Sequence, residues 1–285
     1  VSNARHLGKL PEGDVLIHTG SMTKHGEEAE FSRFAKWLGA QEFNHKIVVA
    51  GPRDLPLDGN RGRNIWTRRF GTSKVFPDAE RIKQELRTVA HYLEGDEIEC
   101  EGVRIWGGPW LPGGARVEAF SIARGEGARA TWSYIPRDAD VVITAGAPLG
   151  HLDTNIKGSR AGCLALLEEL EDIRPKLHVF GGEPGNDGAS TNGGTIFVNA
   201  RCSDSKNSVR YPAMVIDVDP DQSPAPDYEV VYDSNDDATG TEESTDSEVE
   251  WTGITVAAVD GESNSSTTSE RGDEDQGSAD GDDAE

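Results

Sequence analysis

The fold is decided by residues 13–20, which read Gly-Asp-Val-Leu-Ile-His-Thr-Gly, and by residues 46–51, which read Lys-Ile-Val-Val-Ala-Gly. Each is a short apolar run that stops at glycine, and such a run predicts a strand buried on both faces. Between them, Phe31, Phe34 and Leu38 recur at helical spacing and predict a helix. A buried strand, a helix and a second buried strand form the alternating pattern of an α/β protein.

The same alternation continues toward the C-terminus. Residues 161–173 predict a helix with Leu164, Leu167 and Leu170 facing inward, and residues 97–106 alternate like an antiparallel hairpin. A further helix is predicted over 81–89, and further strands over 141–144, 177–180, 195–198 and 214–218, the last of the domain. We therefore expect an α/β sandwich of mixed β-sheets flanked by helices, formed by residues 1–232.

The charge of the chain is divided unevenly between this domain and the C-terminal part. The 285 residues contain 28 Lys and Arg and 51 Asp and Glu, a net charge of −23. Residues 233–285 carry 18 of the acidic groups and a single basic one, Arg271. High charge with little to bury is typical of disorder, so we predict an acidic disordered tail over 233–285 that can be deleted with little effect on folding. Its one apolar island, Trp251–Val259, is interpreted as incidental composition or, alternatively, as a docking motif.

Composition also excludes several classes of protein. No apolar run approaches the ~20 residues that a membrane span requires, and the acidic balance argues against a partner that is a nucleic acid. Cys100, Cys163 and Cys202 lie far apart, which fits free cysteines in a reducing compartment, cytoplasmic or nuclear. We interpret Cys163 as a small buried side chain. Because the sequence opens on Val1 rather than Met, we expect it to be a fragment.

Five turns rich in Gly, Pro and polar residues lie where strands end, and in open α/β sheets such turns form sites. They are residues 2–5, 20–23, 51–54, 144–148 and 181–184. Their order and spacing resemble the motif blocks of the calcineurin-like metallophosphoesterases, especially the small MPPED-type subgroup, over about residues 1–218. The resemblance implies a sandwich of two mixed β-sheets flanked by helices. In that family the turns hold two divalent metals such as Mn, Fe or Zn, and one of them carries a catalytic histidine. It also implies a first strand before Ser2.

The residues that the family uses for its chemistry are replaced in this sequence. The metal-ligand positions fall on Asn3, Arg5, Ser21, Pro52, Ala145, Gly182 and Pro184, and the catalytic histidine falls on Arg53. Proline, glycine and alanine offer no side-chain donor, and a guanidinium cannot lose its proton to become a ligand. A two-metal hydrolase needs anionic and imidazole donors. We therefore expect no bound metal, no cofactor and no catalysis.

Three functions remain compatible with this pattern. The first is a non-catalytic protein whose vestigial cleft binds a nucleotide or a phosphorylated partner through Arg5 and Arg53, because guanidinium binds phosphate in a bidentate manner. The second is an active phosphodiesterase or phosphatase with a rearranged site around Asp54, Glu183 and His151. The third is a product with no selected function. The tail is interpreted as a solubilising extension or as a docking segment for a basic protein.

Overall fold

A computed structural model of the chain describes residues 10–113, 118–155, 157–181, 187–203, 211, 213–219, 221, 231–232 and 254–259. The helices are α1 (Glu28–Gly39), α2 (Gly59–Phe70), α3 (Ala79–Arg87), α4 (Glu126–Trp132) and α5 (Leu164–Ile173), with a short 3-10 helix at Leu55–Asp58. The strands are β1 (Val15–His18), β2 (His45–Val49), β3 (His91–Leu93), β4 (Asp96–Cys100), β5 (Val103–Gly108), β6 (Leu111–Pro112), β7 (Ser121–Ile122), β8 (Val141–Thr144), β9 (Leu177–Phe180), β10 (Gly188–Thr191), β11 (Ile196–Asn199), β12 (Met214–Val218), β13 (Val231–Tyr232) and β14 (Ile254–Val259).

Two six-stranded mixed sheets form the centre of the described fold. The first has the order β13-β12-β14-β1-β2-β3 and the second the order β10-β11-β9-β8-β5-β4. In the first sheet β1, β2 and β3 are parallel, and in the second β5, β8, β9 and β11 are parallel. A two-stranded parallel pair, β6 and β7, lies apart from both. The architecture is the α/β sandwich of mixed sheets expected from the sequence.

Three apolar layers hold the sandwich together. The inner layer lies between the sheets, where residues such as Ile17 and Ile143 meet. One outer layer packs the first sheet against α1, α2 and α3, and includes Phe34 and Trp66. The other packs the second sheet against α4 and α5, and includes Trp132. Strands with a buried layer on both faces need apolar residues throughout, which explains the continuous runs in β1 and β2.

The carboxyl ends of the parallel strands lie at one edge of the sandwich. A Cβ atom added to Gly107, near the end of β5, would lie 2.8 Å from the Val49 side chain at the end of β2 and 2.9 Å from Leu93 at the end of β3. The ends of β2, β3 and β5 therefore pack against one another across the sheets. We call this the carboxyl edge, and it is where sites form in open α/β sheets.

Helix α5 differs from the sequence prediction in its register. Leu164 is 49% exposed rather than inward-facing, and the buried residues of the helix are Ala165, Leu166 and Leu170. Cys163 is the N-cap and is buried, as expected, with the Trp132 indole Nε1 3.4 Å from its Sγ.

Among the described helices, none has the length and apolarity that a bilayer crossing requires.

Strand β14 corrects the prediction for residues 233–285. Residues 254–259 pair in parallel with β1 and antiparallel with β12, so they occupy a central position in the first sheet. The disordered-tail prediction is therefore wrong for these six residues, and β12 is not the last strand. The physical reason is that the apolar island supplies backbone groups to two strands that would otherwise lack a partner on one side. The remainder of 233–285, apart from these six residues, lies outside the described part of the chain.

Candidate functional site

The turns after β1 and β2 touch each other through their backbones at the carboxyl edge. A Cβ atom on Gly51 would lie 2.3 Å from the Ser21 nitrogen, and one on Gly20 would lie 2.7 Å from the Ala50 carbonyl oxygen. Gly20 also has a φ of 109°, in the region that favours glycine. Ser21 has a positive φ of 55°, which is uncommon for a residue with a side chain. Only glycine at both contact positions allows these turns to approach so closely.

The carboxylate of Asp54 joins the two turns and is fully buried. Its Oδ2 accepts hydrogen bonds from the Gly51 nitrogen at 2.9 Å and the Met22 nitrogen at 3.2 Å. Its Oδ1 accepts from the Thr23 nitrogen at 3.0 Å and the Thr23 hydroxyl at 2.9 Å. Burial raises the pKa of Asp54 to about 7, and these hydrogen bonds oppose the rise. With four donors satisfied, this carboxylate serves to fix the two turns.

A third segment links these turns to the second sheet. The Ala119 nitrogen donates to the Pro52 carbonyl oxygen at 3.2 Å, and the Leu111 nitrogen donates to the Phe120 carbonyl oxygen at 3.2 Å. Leu111 in turn packs on the turn after β8, since a Cβ on Gly146 would lie 3.0 Å from the Leu111 Cβ. The turns that contain the predicted positions Pro52 and Ala145 are therefore connected at the carboxyl edge. Ala145 itself is buried.

His178 and Thr144 form a buried polar pair below the turn after β8. The Thr144 hydroxyl donates to the Gly146 carbonyl oxygen at 2.8 Å, so the His178 Nε2, 2.9 Å away, is the donor between the two side chains. The ring stacks on Phe180, and burial lowers the pKa of His178 to about 3. Its Nδ1 has no hydrogen-bond partner among the described protein atoms. His178 is therefore a neutral histidine of the core.

His151 and Asp54 of the alternative site lie in different layers. The His151 ring stacks on Phe197 with centroids 3.8 Å apart and contacts the Ser190 hydroxyl at 3.2 Å, so it belongs to the layer of α4 and α5. Asp54 instead bonds to Met22, a residue of the layer of α1 to α3. The third group of that set, Glu183, lies outside the described residues, as do Asn3, Arg5, Gly182 and Pro184.

Relatives of known name align with about three quarters of this chain. A human metallophosphoesterase domain-containing protein 1 is 35% identical over 216 residues, which cover 74% of this chain and 66% of that protein. A UPF0046 protein of Caenorhabditis elegans is 34% identical over 225 residues, which cover 74% of this chain and 75% of that protein. The chain belongs to this family of metallophosphoesterase domain-containing proteins. It spans just under two thirds of the length of the human relative it matches.

No family model matches the chain. A crystal structure from Thermus thermophilus aligns with a TM-score of 0.43 at 13% identity, covering 66% of this chain and 76% of that one.

The residues described at the carboxyl edge do not fit the two divalent metals that the metallophosphoesterase resemblance implies. Of the predicted positions that the structure describes, Pro52 and Ala145 have no donor, Arg53 is cationic and Ser21 offers only a neutral hydroxyl. Asp54 already accepts four hydrogen bonds. Within the described ranges, no three His, Cys, Asp or Glu side chains lie together in a way that could hold a metal ion. We therefore derive no metal-assisted step for this part of the chain.

A basic segment that the sequence analysis does not predict lies beside this edge. Residues 59–77 contain five basic residues and no acidic one. Four of the five lie in α2, which follows the Asp54 turn and the short 3-10 helix. The helix was not predicted because its apolar positions are few, with only Gly62 and Trp66 buried. A local count of charge along the sequence would have found it.

Acid is expected to destabilise this fold through two buried histidines. Burial lowers the pKa of His18 and His178 to about 3, so both are neutral when folded and take up protons on unfolding below pH 6.5. Asp54 acts in the opposite sense, because its raised pKa of about 7 lets the folded state bind a proton between pH 7 and 3.8. The unfolded state then binds about one proton more, and the free energy of unfolding should fall by about 1.4 kcal/mol per pH unit between about pH 6 and 4.

Urea unfolding at several pH values measures this slope, and His178→Gln separates its parts. Glutamine keeps a donor for Thr144 and removes one titrating group, so the slope should approach zero. His45→Gln is the control, because His45 is only partly buried. It is the first residue of β2 and lies beside Glu101. A wild-type stability that is flat over this range, or a slope unchanged by His178→Gln, would contradict the assignment of neutral buried imidazoles.

Proposed function

We propose that the chain is a non-catalytic member of its family that binds a phosphate-bearing ligand, such as a nucleotide, at the carboxyl edge. The observation that carries the proposal is the complete engagement of Asp54, the carboxylate at the junction of the first two turns, by four protein donors. A carboxylate used in this way holds the shape of the edge and is not available to a metal or a water molecule.

The positive charge of the edge supports an anionic ligand. Arg53 directly precedes Asp54, whose four hydrogen bonds fix the backbone of this turn. Arg5 belongs by resemblance to the first turn of the same edge. Guanidinium groups bind phosphate oxygens through charged, often bidentate hydrogen bonds. Two arginines in place of a metal ligand and a catalytic histidine would therefore retain affinity for phosphate without hydrolysing its esters.

Calorimetric titration of the chain with mononucleotides tests this proposal. We expect binding that weakens at least tenfold in Arg53→Ala and further in Arg5→Ala with Arg53→Ala, since a hydrogen bond to a charged group contributes about 1.5–3 kcal/mol. Arg33→Ala with Arg87→Ala is the matched control, because it removes the same charge from exposed positions on α1 and α3. No heat at millimolar nucleotide, or equal loss in the control, would overturn the proposal.

A phosphodiester assay with added Mn, Fe or Zn tests the competing function. The proposal predicts no turnover above that of the metal alone. Turnover that accompanies stoichiometric metal and is abolished by Glu183→Ala would instead establish the rearranged hydrolase site around Asp54, Glu183 and His151.

A further inference from the structure

Helix α2 and the turn after it present a basic surface in an otherwise acidic protein. Arg61, Arg63, Arg68 and Arg69 of α2 and Lys74 beyond it are all exposed. We call these five residues the α2 basic face. No acidic residue occurs between positions 59 and 77, whereas the whole chain has a net charge of −23. A local reversal of charge on this scale favours an anionic partner over a merely solvated surface.

Much of this positive charge is not neutralised by nearby carboxylates. Arg61 lies 3.8 Å from Asp58 and Lys74 lies 2.5 Å from Glu27. Arg63 and Arg69 instead rest over the aromatic rings of Phe76 and Phe70, at 4.4 Å and 6.0 Å from the ring centres. A guanidinium stacked on an aromatic ring keeps its hydrogen-bond donors at the ring's rim, directed to solvent.

No ion pair involves Arg63, Arg68 or Arg69 in the part of the chain that the structure describes. At least three guanidinium groups therefore remain available for an anionic chain. Such a partner needs repeated negative charge rather than one fixed anion, because these arginines are spread along a helix about 18 Å long.

We propose that the α2 basic face docks the acidic segment 260–285 of this same chain. That segment carries ten acidic residues and one basic residue. Outside residues 59–77, the rest of residues 1–232 holds 22 basic and 33 acidic groups, so the segment is repelled by most of the body and attracted to this one region. A free nucleic acid is repelled by the same net charge of −23. A tethered segment also acts at a high effective concentration, which an external anion lacks.

The topology delivers this segment to the correct edge of the molecule. Strand β14 is parallel to β1, and its last residue, Val259, lies in register with His18 at the end of β1. Residue 260 therefore follows a strand that ends at the carboxyl edge, and α2 begins at the same edge, ten residues after the end of β2. The 26 residues after Val259 span up to about 86–94 Å when extended, several times the length of α2.

Paramagnetic relaxation in the full-length chain tests the docking. A nitroxide is attached to Ser269→Cys, because Cys100, Cys163 and Cys202 are buried and protected from labelling. At ionic strength of about 0.01 M, we expect the label to broaden amide signals of residues 59–74 several-fold more than those of α3. At about 1 M salt, where the Debye length is about 3 Å, the difference should disappear.

Two matched variants give the test its specificity. Combined Arg63→Gln, Arg68→Gln and Arg69→Gln should abolish the selective broadening, and the helix should persist because glutamine and arginine have similar helix propensity. Combined Lys36→Gln, Arg87→Gln and Lys157→Gln removes the same charge from exposed positions elsewhere and should leave it intact. Broadening that is uniform over the surface, or unchanged by the first variant, would overturn the proposal. The proposal would also be overturned if a fluorescent single-stranded oligonucleotide bound in an arginine-dependent manner while the label caused no selective broadening of residues 59–74. That result would assign the α2 basic face to nucleic acid.

Discussion

Proline in place of Val256 is expected to destabilise the whole domain by about 3 kcal/mol or more. Val256 is paired with Val15 of β1 on one side and Ile216 of β12 on the other, so β14 is an interior strand. Proline removes one backbone donor from this ladder and its ring clashes within a paired strand. At about 2–4 °C per kcal/mol for a protein of this size, the melting temperature should fall by about 10 °C. Thermal unfolding followed by circular dichroism measures the change.

The control for this prediction is proline in place of Ser265, six residues after the strand in sequence. It alters the same acidic region without touching the paired residues, so the melting temperature should change by less than about 1 °C. Equal melting curves for Val256→Pro and the wild type would show that β14 contributes nothing to the sheet. That result would restore the view of residues 233–285 as wholly dispensable.

The difference between β1 and β14 shows what the sequence can and cannot predict about this fold. Residues 13–20 predict their strand because a sandwiched strand needs apolar side chains on both faces, and that requirement is visible locally. Strand β14 has a similar apolar run, but acidic residues flank it, and local composition therefore favours disorder. Its partners Val15 and Ile216 lie far away in the chain. Pairing between distant segments is not encoded in the pattern of either one.

The candidate site shows the same limit. The order of the turns along the chain placed Ser21, Arg53 and Ala145 at strand ends correctly, because strands in such sheets run parallel and end together. The role of Asp54 was not predictable, since its four donors come from turns after two different strands. The cluster of basic residues in α2 is visible in the sequence. Its proposed role in docking the acidic segment depends on the position of the end of β14, which the sequence does not predict.

Loss of the Asp54 carboxylate is expected to cost the fold about 3–5 kcal/mol. In Asp54→Ala, the buried nitrogens of Gly51, Met22 and Thr23 each lose their acceptor, and an unsatisfied buried group costs about 1–3 kcal/mol. Asp54→Asn should cost less, about 1–3 kcal/mol, because asparagine relieves the buried charge that raises the pKa of Asp54 but places a donor where an acceptor is needed. Each carboxylate oxygen accepts from two donors, so the amide nitrogen of asparagine would face donors in either orientation. Urea unfolding of both variants at pH 8 gives the two free energies.

The matched control is Asp78→Asn, which changes another carboxylate that accepts two backbone hydrogen bonds. Both bonds reach a single oxygen, Oδ1, from the nitrogens of Glu80 and Arg81 at the start of α3. The asparagine carbonyl can replace that oxygen, and asparagine is an equally good N-cap, so the cost should stay below about 0.5 kcal/mol. Both asparagine variants remove one negative charge. The difference between their free energies of unfolding therefore measures the effect of the hydrogen-bond geometry around Asp54. If Asp54→Asn were as mild as Asp78→Asn, the four-donor arrangement would not be what holds the first two turns together, and the carboxylate would again be free for a ligand.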